Sequence, residues 1–243
     1  MLGCPRRAVY GGVGRVRTAR QDGRVSSPAI TLFDLDGTLT DSAPGIVTGF
    51  RHALASVGEP EPDGDLAQLI LGPPMADTLR GLGLDDATAD RALDAYFDRY
   101  DRVGWAENEV FAGIADLLTT LSGPDTRLAV ATSKSERFAI RILEHFGLAD
   151  HFEAIAGASA DGTRRAKADV IEHALRGLGI EPVAGGTTGV VMVGDRVHDV
   201  HGAARWGIPT VFVHWGYGAE SEAADAAWSA ATVAELEAIL HAR

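Results

Sequence analysis

Short apolar runs alternating with stretches of helical periodicity set the pattern of this chain. Residues 30–33, 128–131, 152–156, 190–193 and 210–213 are each long enough for a buried strand and too short for a helix. Between them, apolar residues recur at helical spacing. Ile114, Leu117, Leu118 and Leu121 lie in a helix expected to open at Val110 and Phe111. Phe138, Ile142, Leu143 and Phe146 form the next stripe, and residues 168–178 and 203–206 continue the series. Strand followed by helix throughout predicts an α/β fold with a doubly wound, mostly parallel sheet and right-handed crossovers, in which 210–213 is the last strand.

Residues 43–107 break the alternation. Ile46, Val47, Phe50, Ala53, Leu54 and Val57 share one helical face, with Gly58 as a stop signal. Leu66, Leu69 and Ile70 make a second stripe; Met75, Leu79 and Leu82 a third; Ala92, Leu93, Tyr96, Phe97 and Tyr100 a fourth. An all-helical block placed between two strand-helix pieces reads as a lid over the strand mouths, hinged at residues 42–45 and 106–109. The expected organisation is a disordered basic tail over 1–27, a catalytic core over 28–42 and 108–243, and a helical cap over 43–107.

Three of the apolar runs end in chemistry. The first stops at Asp34-Leu35-Asp36-Gly37-Thr38, two carboxylates one residue apart with a glycine that permits a sharp turn. Run 128–131 ends in Thr132, Ser133 and Lys134, and run 190–193 in Gly194-Asp195 with Asp199 four residues on. In a parallel sheet these ends share one edge, where open α/β sheets bind ligands, so Asp34, Asp36, Thr132, Asp195 and Asp199 can converge. Carboxylates gathered there require a cation or a proton to hold them.

These motifs, in this order, resemble the haloacid dehalogenase (HAD) superfamily. Asp34 to Thr38 resembles its first motif, Thr132 its second, Lys167 its third, and Gly194-Asp195 with Asp199 its fourth. Asp41-Ser42, Leu71-Gly72-Pro73-Pro74 and Trp215-Gly216-Tyr217-Gly218 are similar to the phosphoglycolate phosphatase-like branch. The resemblance implies a helical cap, Mg²⁺ as cofactor, and hydrolysis of a small phosphate monoester. By it, Asp34 is the nucleophile that forms an aspartyl-phosphate, and Asp36 is the acid that protonates the leaving oxygen and then the base that activates water. Asp34, the backbone carbonyl of Asp36 and Asp195 hold the metal, with Asp199 in support. Thr132, Ser133 and Lys167 bind the phosphoryl group. Lys167 is followed by Ala168 and Asp169 where the family often has proline, and Arg164 and Arg165 are rival cations nearby.

Arg51 and Arg80 in the cap are candidates to grip an anionic group of the substrate, although arginines on a helix surface usually face water. His198 and His201, beside Asp199, mimic a metal pair, but Mg²⁺ prefers oxygen. The Trp215 to Gly218 loop reads as aromatics closing an edge of the core. A haloacid dehalogenase proper is disfavoured by Asp36, because expelling halide needs no proton donor. The resemblance extends to a protein of this fold described as a tyrosine kinase. That leaves a phosphotransferase, with a protein partner, as the alternative. No Walker-type or kinase glycine-rich loop is present to hold ATP.

Charge and composition narrow the partners. Residues 1–27 contain six Arg and one Asp, so the rest of the chain is more negative than the formal −12 of the whole, which disfavours nucleic acid and anionic membranes. With 46% hydrophobic residues the chain can build a normal core, and no apolar run reaches the roughly 18 residues of a membrane span. The single cysteine, Cys4, permits no intrachain disulfide and fits a cytoplasmic protein.

Overall fold

Strand β1 (Ile30–Phe33) is buried on both faces, and the rest of the fold is layered on it. The computed structural model describes residues 30–241, apart from 74, 124 and 125, and without the side chain of Gln68. The tail expected over 1–27, with Cys4, lies outside the described residues. On one side β1 pairs with β4 (Arg127–Ser135) and on the other with β6 (Val190–Gly194), so that Phe33 lies opposite both Val130 and Val193. Addition of β5 (Ala154–Ala158), β7 (Thr210–Val213) and β8 (Trp228–Ala230) gives a six-stranded sheet in the order β5-β4-β1-β6-β7-β8, every pair parallel.

Because successive strand residues point to opposite faces, the sheet carries two cores. Phe33, Val130, Val193 and Val211 pack under α5 (Ile114–Leu121), α6 (Glu136–His145) and α9 (Val233–His241), through Ile114, Leu118, Ile142, Leu143, Leu236 and Leu240. Leu32, Ala129, Ala131 and Met192 pack on the other face under α7 (Lys167–Gly177) and α8 (Val197–Ala204), through Val170, Ile171, Leu175 and Ala203. Each fully buried aliphatic or aromatic side chain contributes about 1.5–3 kcal/mol.

Residues 43–107 are helical: α1 (Ala43–Val57), α2 (Leu66–Ile70), α3 (Met75–Gly81) and α4 (Asp86–Arg102), followed by a 3₁₀ turn. They bury a third apolar cluster that includes Phe50, Leu54, Leu79, Ala92, Tyr96 and Tyr100. Phe138 of α6 joins it, so the insert packs directly on a helix that covers the sheet. The chain enters and leaves the insert through a two-stranded antiparallel ribbon, β2 (Thr40–Asp41) against β3 (Glu109–Val110).

Three expectations needed revision. Val110 closes this ribbon instead of opening a helix, and α5 begins only at Ile114, after Gly113 in the left-handed region. Strand β4 runs on to Ser135, past a register irregularity after Ala131. The sheet does not end at Val213. Strand β8 is three residues long with a serine at its centre, which leaves no apolar run to read.

The start of α1 is capped from far along the chain. Ser42, its N-cap, makes no side-chain cap; instead the Tyr217 hydroxyl accepts from Ser42 N (2.7 Å) and Ala43 N (3.0 Å) and donates to Asp41 Oδ1 (2.8 Å). The Tyr217 ring packs against the apolar cluster of the insert. Tyr217→Phe is therefore expected to lower the unfolding free energy by about 1 to 3 kcal/mol, the cost of stranding the buried Ser42 N, since Ala43 N keeps Asp41 Oδ1 as a second acceptor (3.0 Å). Urea denaturation measures it; an unchanged midpoint would show that water replaces the hydroxyl without loss.

Candidate active site

The C-terminal ends of β4, β1 and β6 are adjacent, and Asp34 N is bonded to Val193 O at 2.9 Å. This register brings the sequence motifs together. One carboxylate oxygen each from Asp34, Asp195 and Asp199 lies within 4.8 Å of the others, and all three residues are buried. Lys167, the first residue of α7, reaches into the group: its Nζ is 2.9 Å from Asp34 Oδ1 and 2.6 Å from Asp199 Oδ1, and it donates to Ala131 O at 3.0 Å. An ammonium at a helix N-terminus opposes the helix dipole, so the carboxylates must hold it there.

The remaining bonds orient each carboxylate. Asp34 Oδ1 accepts from Leu35 N (2.8 Å), and the Thr132 hydroxyl favours its ionised form. Asp195 accepts from Thr38 Oγ1 (3.1 Å) and Tyr217 N (2.8 Å), and Asp199 Oδ2 from Arg196 N (3.0 Å). Gly37 has φ +80°, and a Cβ there would overlap the Asp195 carboxylate; only glycine lets the first-motif loop fold over β6.

Three carboxylates face one ammonium in a dry site. Burial pushes Asp34 up to about 6, against the pull of Lys167 and with a further push from Asp199. Burial, then repulsion from Asp199 and Asp34, pushes Asp195 up to about 8. Burial alone would lower Lys167, but Asp199 and Asp34 outweigh it, and its pKa lies above the ordinary lysine value. The cluster thus has more negative charge than its own cation offsets. Its donors are all hard carboxylate oxygens, which fit Mg²⁺ and offer nothing to a thiophilic metal.

The second carboxylate of the first motif is placed elsewhere. Asp36 is bonded by Lys134 Nζ through both oxygens, at 3.0 and 2.8 Å. Burial would lower Lys134, yet Asp36 and then Tyr100 hold it above its ordinary value. Ser133, between Thr132 and Lys134, is exposed at the strand mouth.

Other candidates stand apart from the cluster. Arg51 and Arg80 are half exposed and form surface ion pairs within the insert, with Glu61 (3.1 Å) and Asp90 (3.0 Å). A pairing with a nearby acid satisfies a solvated guanidinium without any substrate. Arg164 is engaged with Glu136 and the Gly157 carbonyl, whereas Lys167 Nζ lies at the cluster itself. His198 and His201 are exposed, and His201 faces Asp225. Trp215 donates to Thr38 O (3.1 Å), so its loop backs the first motif as well as closing an edge.

Sequence reasoning gave Lys134 and Arg196 no catalytic or binding role and read Tyr217 only as an aromatic closing an edge of the core. Arg196, next to Asp195, donates to Glu222 and to the Leu71 carbonyl in the turn after α2 of the insert. The turn is open enough because Gly72 (φ +113°) has no side chain where the guanidinium lies. Lys134 closes an apolar run two residues after Thr132, a position that could have marked it. The partners of the Tyr217 hydroxyl at the start of α1, and Leu71 as partner of Arg196, lie more than a hundred residues away and leave no local signal.

With this geometry, the comparison with known proteins is unambiguous about kinship. The profile of the family described as haloacid dehalogenase-like hydrolase matches residues 31–213, and the chain belongs to that family. Among curated proteins it is 57% identical to tyrosine-protein kinase PtkA of Mycobacterium tuberculosis, over 79% of this chain and 64% of PtkA; it thus spans less than two thirds of that relative. A solved structure of PtkA superposes with a TM-score of 0.75 at 52% identity, covering 89% of this chain and all of that one. A 5′-nucleotidase of Pseudomonas aeruginosa is 42% identical over 79% of this chain and 85% of its own. A phosphoglycolate phosphatase of Agrobacterium fabrum is 31% identical over 77% and 81%.

The carboxylate cluster predicts a pH dependence whose sign is fixed. Asp34 and Asp195 hold protons in the folded chain up to about pH 6 and 8, whereas unfolded they release them near 3.8. Raising the pH through that window strips protons that only the folded state retained, so the metal-free protein loses stability as the pH rises. Mg²⁺ should reverse this, and its stabilisation should grow with pH. Thermal melts in chelator and in saturating Mg²⁺, at about pH 5 and about pH 8, test it; an Mg²⁺ effect equal at both pH values would contradict the assignment.

Proposed function

We propose that this chain is a Mg²⁺-dependent phosphatase that hydrolyses a small phosphate monoester through an aspartyl-phosphate on Asp34. The observation that carries the reading is the buried Asp34, Asp195 and Asp199 cluster with Lys167 at its centre. Asp34, the backbone carbonyl of Asp36 and Asp195 would hold the ion, with Asp199 in support; when bound, it offsets the repulsion between a carboxylate nucleophile and a phosphate dianion.

The protein groups divide the remaining work. Asp34 attacks phosphorus while the bond to the leaving oxygen breaks, and Asp36 gives that oxygen its proton, so an alcohol departs. Asp36, now a carboxylate, takes a proton from water; the water oxygen attacks phosphorus, the bond to Asp34 breaks, and inorganic phosphate leaves. Thr132, Ser133 and Lys167 supply hydrogen bonds and positive charge to the phosphoryl oxygens. Arg51 and Arg80 are given no part in this while they remain paired with Glu61 and Asp90. The helical insert acts as a cap that excludes bulk water and selects substrate. The relatives suggest phosphoglycolate and nucleoside monophosphates as ester classes to try first. No helix of the described residues is long and apolar enough to cross a membrane, in keeping with a cytoplasmic enzyme acting on metabolites.

The likeness to PtkA favours one second reading, a phosphotransferase that uses the same site and passes the phosphoryl group to a protein tyrosine. The acceptor separates the two. A phosphatase admits water in line with the aspartyl-phosphate, whereas a kinase excludes it and admits a side chain. Under the phosphatase reading, phosphate is released from members of a monoester panel in Mg²⁺, chelator abolishes the release, and Asp34→Asn lowers it by at least about 1000-fold while the fold is kept. Phosphotyrosine formed from labelled ATP by the wild type and not by Asp34→Asn, with no ester hydrolysed, would transfer the assignment to the kinase.

A further inference from the structure

The geometry points to Lys134 as a positioning residue that fixes the Asp36 carboxylate and, through Tyr100, ties its orientation to the seating of the helical insert. The inference rests on the phosphatase reading, because it concerns the group that moves the proton in both steps. The backbone of Asp36 is already held: it bridges to Thr40, and Gly37 N donates to Thr40 O at 2.8 Å. What remains free is the carboxyl's own rotation, and Lys134 Nζ fixes that by donating to both oxygens.

Lys134 has the burial of a structural cation. Its side chain is 8% exposed, against 24% for Asp36, and lysine is rarely so buried unless paired. It is confined on its far side by the insert, because Nζ lies 5.1 Å from the centroid of the Tyr100 ring. Tyr100 of α4 is itself wedged. It stacks on Tyr96 at 5.6 Å and meets Phe138 of α6 edge-on at 5.0 Å. A ring gripped by the insert on one face and by the core at its edge cannot shift without changing the space beside Lys134. Displacement of the insert therefore loosens the acid-base carboxyl, and seating it restores the aligned state. Proton transfer needs that alignment, since a misplacement of about 1 Å costs on the order of 100-fold.

The test separates positioning from substrate binding. Lys134→Met keeps the length and removes the donor. For an alkyl phosphate it should lower kcat by about 100-fold and leave KM within about threefold. With p-nitrophenyl phosphate, whose leaving group needs no proton, the first turnover should keep its wild-type rate. Slow dephosphorylation should follow, seen as a burst of nearly one p-nitrophenolate per site. Lys134→Arg should recover part of the loss, and Tyr100→Leu should show the same pattern at about tenfold. Circular dichroism verifies each fold. A first turnover slowed as much as kcat, or a raised KM with kcat intact, would make Lys134 a substrate ligand and overturn the proposal. So would an unchanged kcat in Lys134→Met, and an unaffected Tyr100→Leu would overturn the link to the insert. Wild-type protein that hydrolyses neither ester removes the phosphatase reading, and this assignment with it, before any variant is made.

Discussion

Everything at the mouth of the sheet follows from one imbalance: among the described residues, Asp34, Asp195 and Asp199 share a buried space with a single ammonium, that of Lys167. Ionised carboxylates taken out of water cost several kcal/mol each unless compensated. The fold tolerates that cost because the two cores flanking the sheet hold the strand ends rigid. Relaxation by moving apart is closed off, as Asp34 is fixed by β1 and its bond to Val193, Asp195 by Thr38 and Tyr217, and Asp199 by the Arg196 amide. What is left is to bind a cation or a proton. The raised values of Asp34 and Asp195 record the same deficit. A site in that condition is prepared for a hard divalent ion before one arrives.

A parallel sheet makes such a site from sequence segments that are far apart. Strands β4, β1 and β6 are neighbours in space although their motifs are separated by roughly 60 to 160 residues. Each run is short, apolar and two-faced, as burial under helices on both sides requires. The same topology leaves the strand mouths as the place where a long insertion between β1 and α5 does least harm to the sheet. Residues 43–107 occupy that position and build their own apolar cluster, joined to the core by Phe138.

How much of this could be read from the chain depends on the range of the interaction. The strands, the helical block and the cluster residues were legible because each leaves a local mark: an apolar run, a 3.6 period, an aspartate where a strand should end. Strand β8 left none, being three residues with Ser229 at its centre. The Tyr217 cap on α1 and the Arg196 tie to Leu71 are invisible for another reason: nothing near either residue announces a partner more than a hundred positions away. Arg51 and Arg80 are the converse case, since an arginine's reach makes it a candidate anywhere. Only the neighbouring Glu61 and Asp90 show that both are already occupied on the surface. Lys134 was visible as a cation at a strand mouth, but its bond to Asp36 depends on the irregularity that carries β4 past Ala131.

The insert touches the chemistry at three places, and they differ in kind. Tyr217 caps the helix that leaves the core, and the same residue's amide orients Asp195. Arg196 bonds a carbonyl of the insert through its side chain, and its own amide orients Asp199. Tyr100 confines Lys134, which holds Asp36. In each case one residue joins a contact with the insert to the aim of a particular carboxylate. A helical lid that merely covered the cleft would need none of these links, because apolar packing alone can exclude water. Their presence means that the state of the lid is felt separately at Asp195, Asp199 and Asp36. Under the phosphatase reading, an enzyme that admits and expels small molecules would gain from that arrangement, since seating the insert would aim all three carboxylates at once.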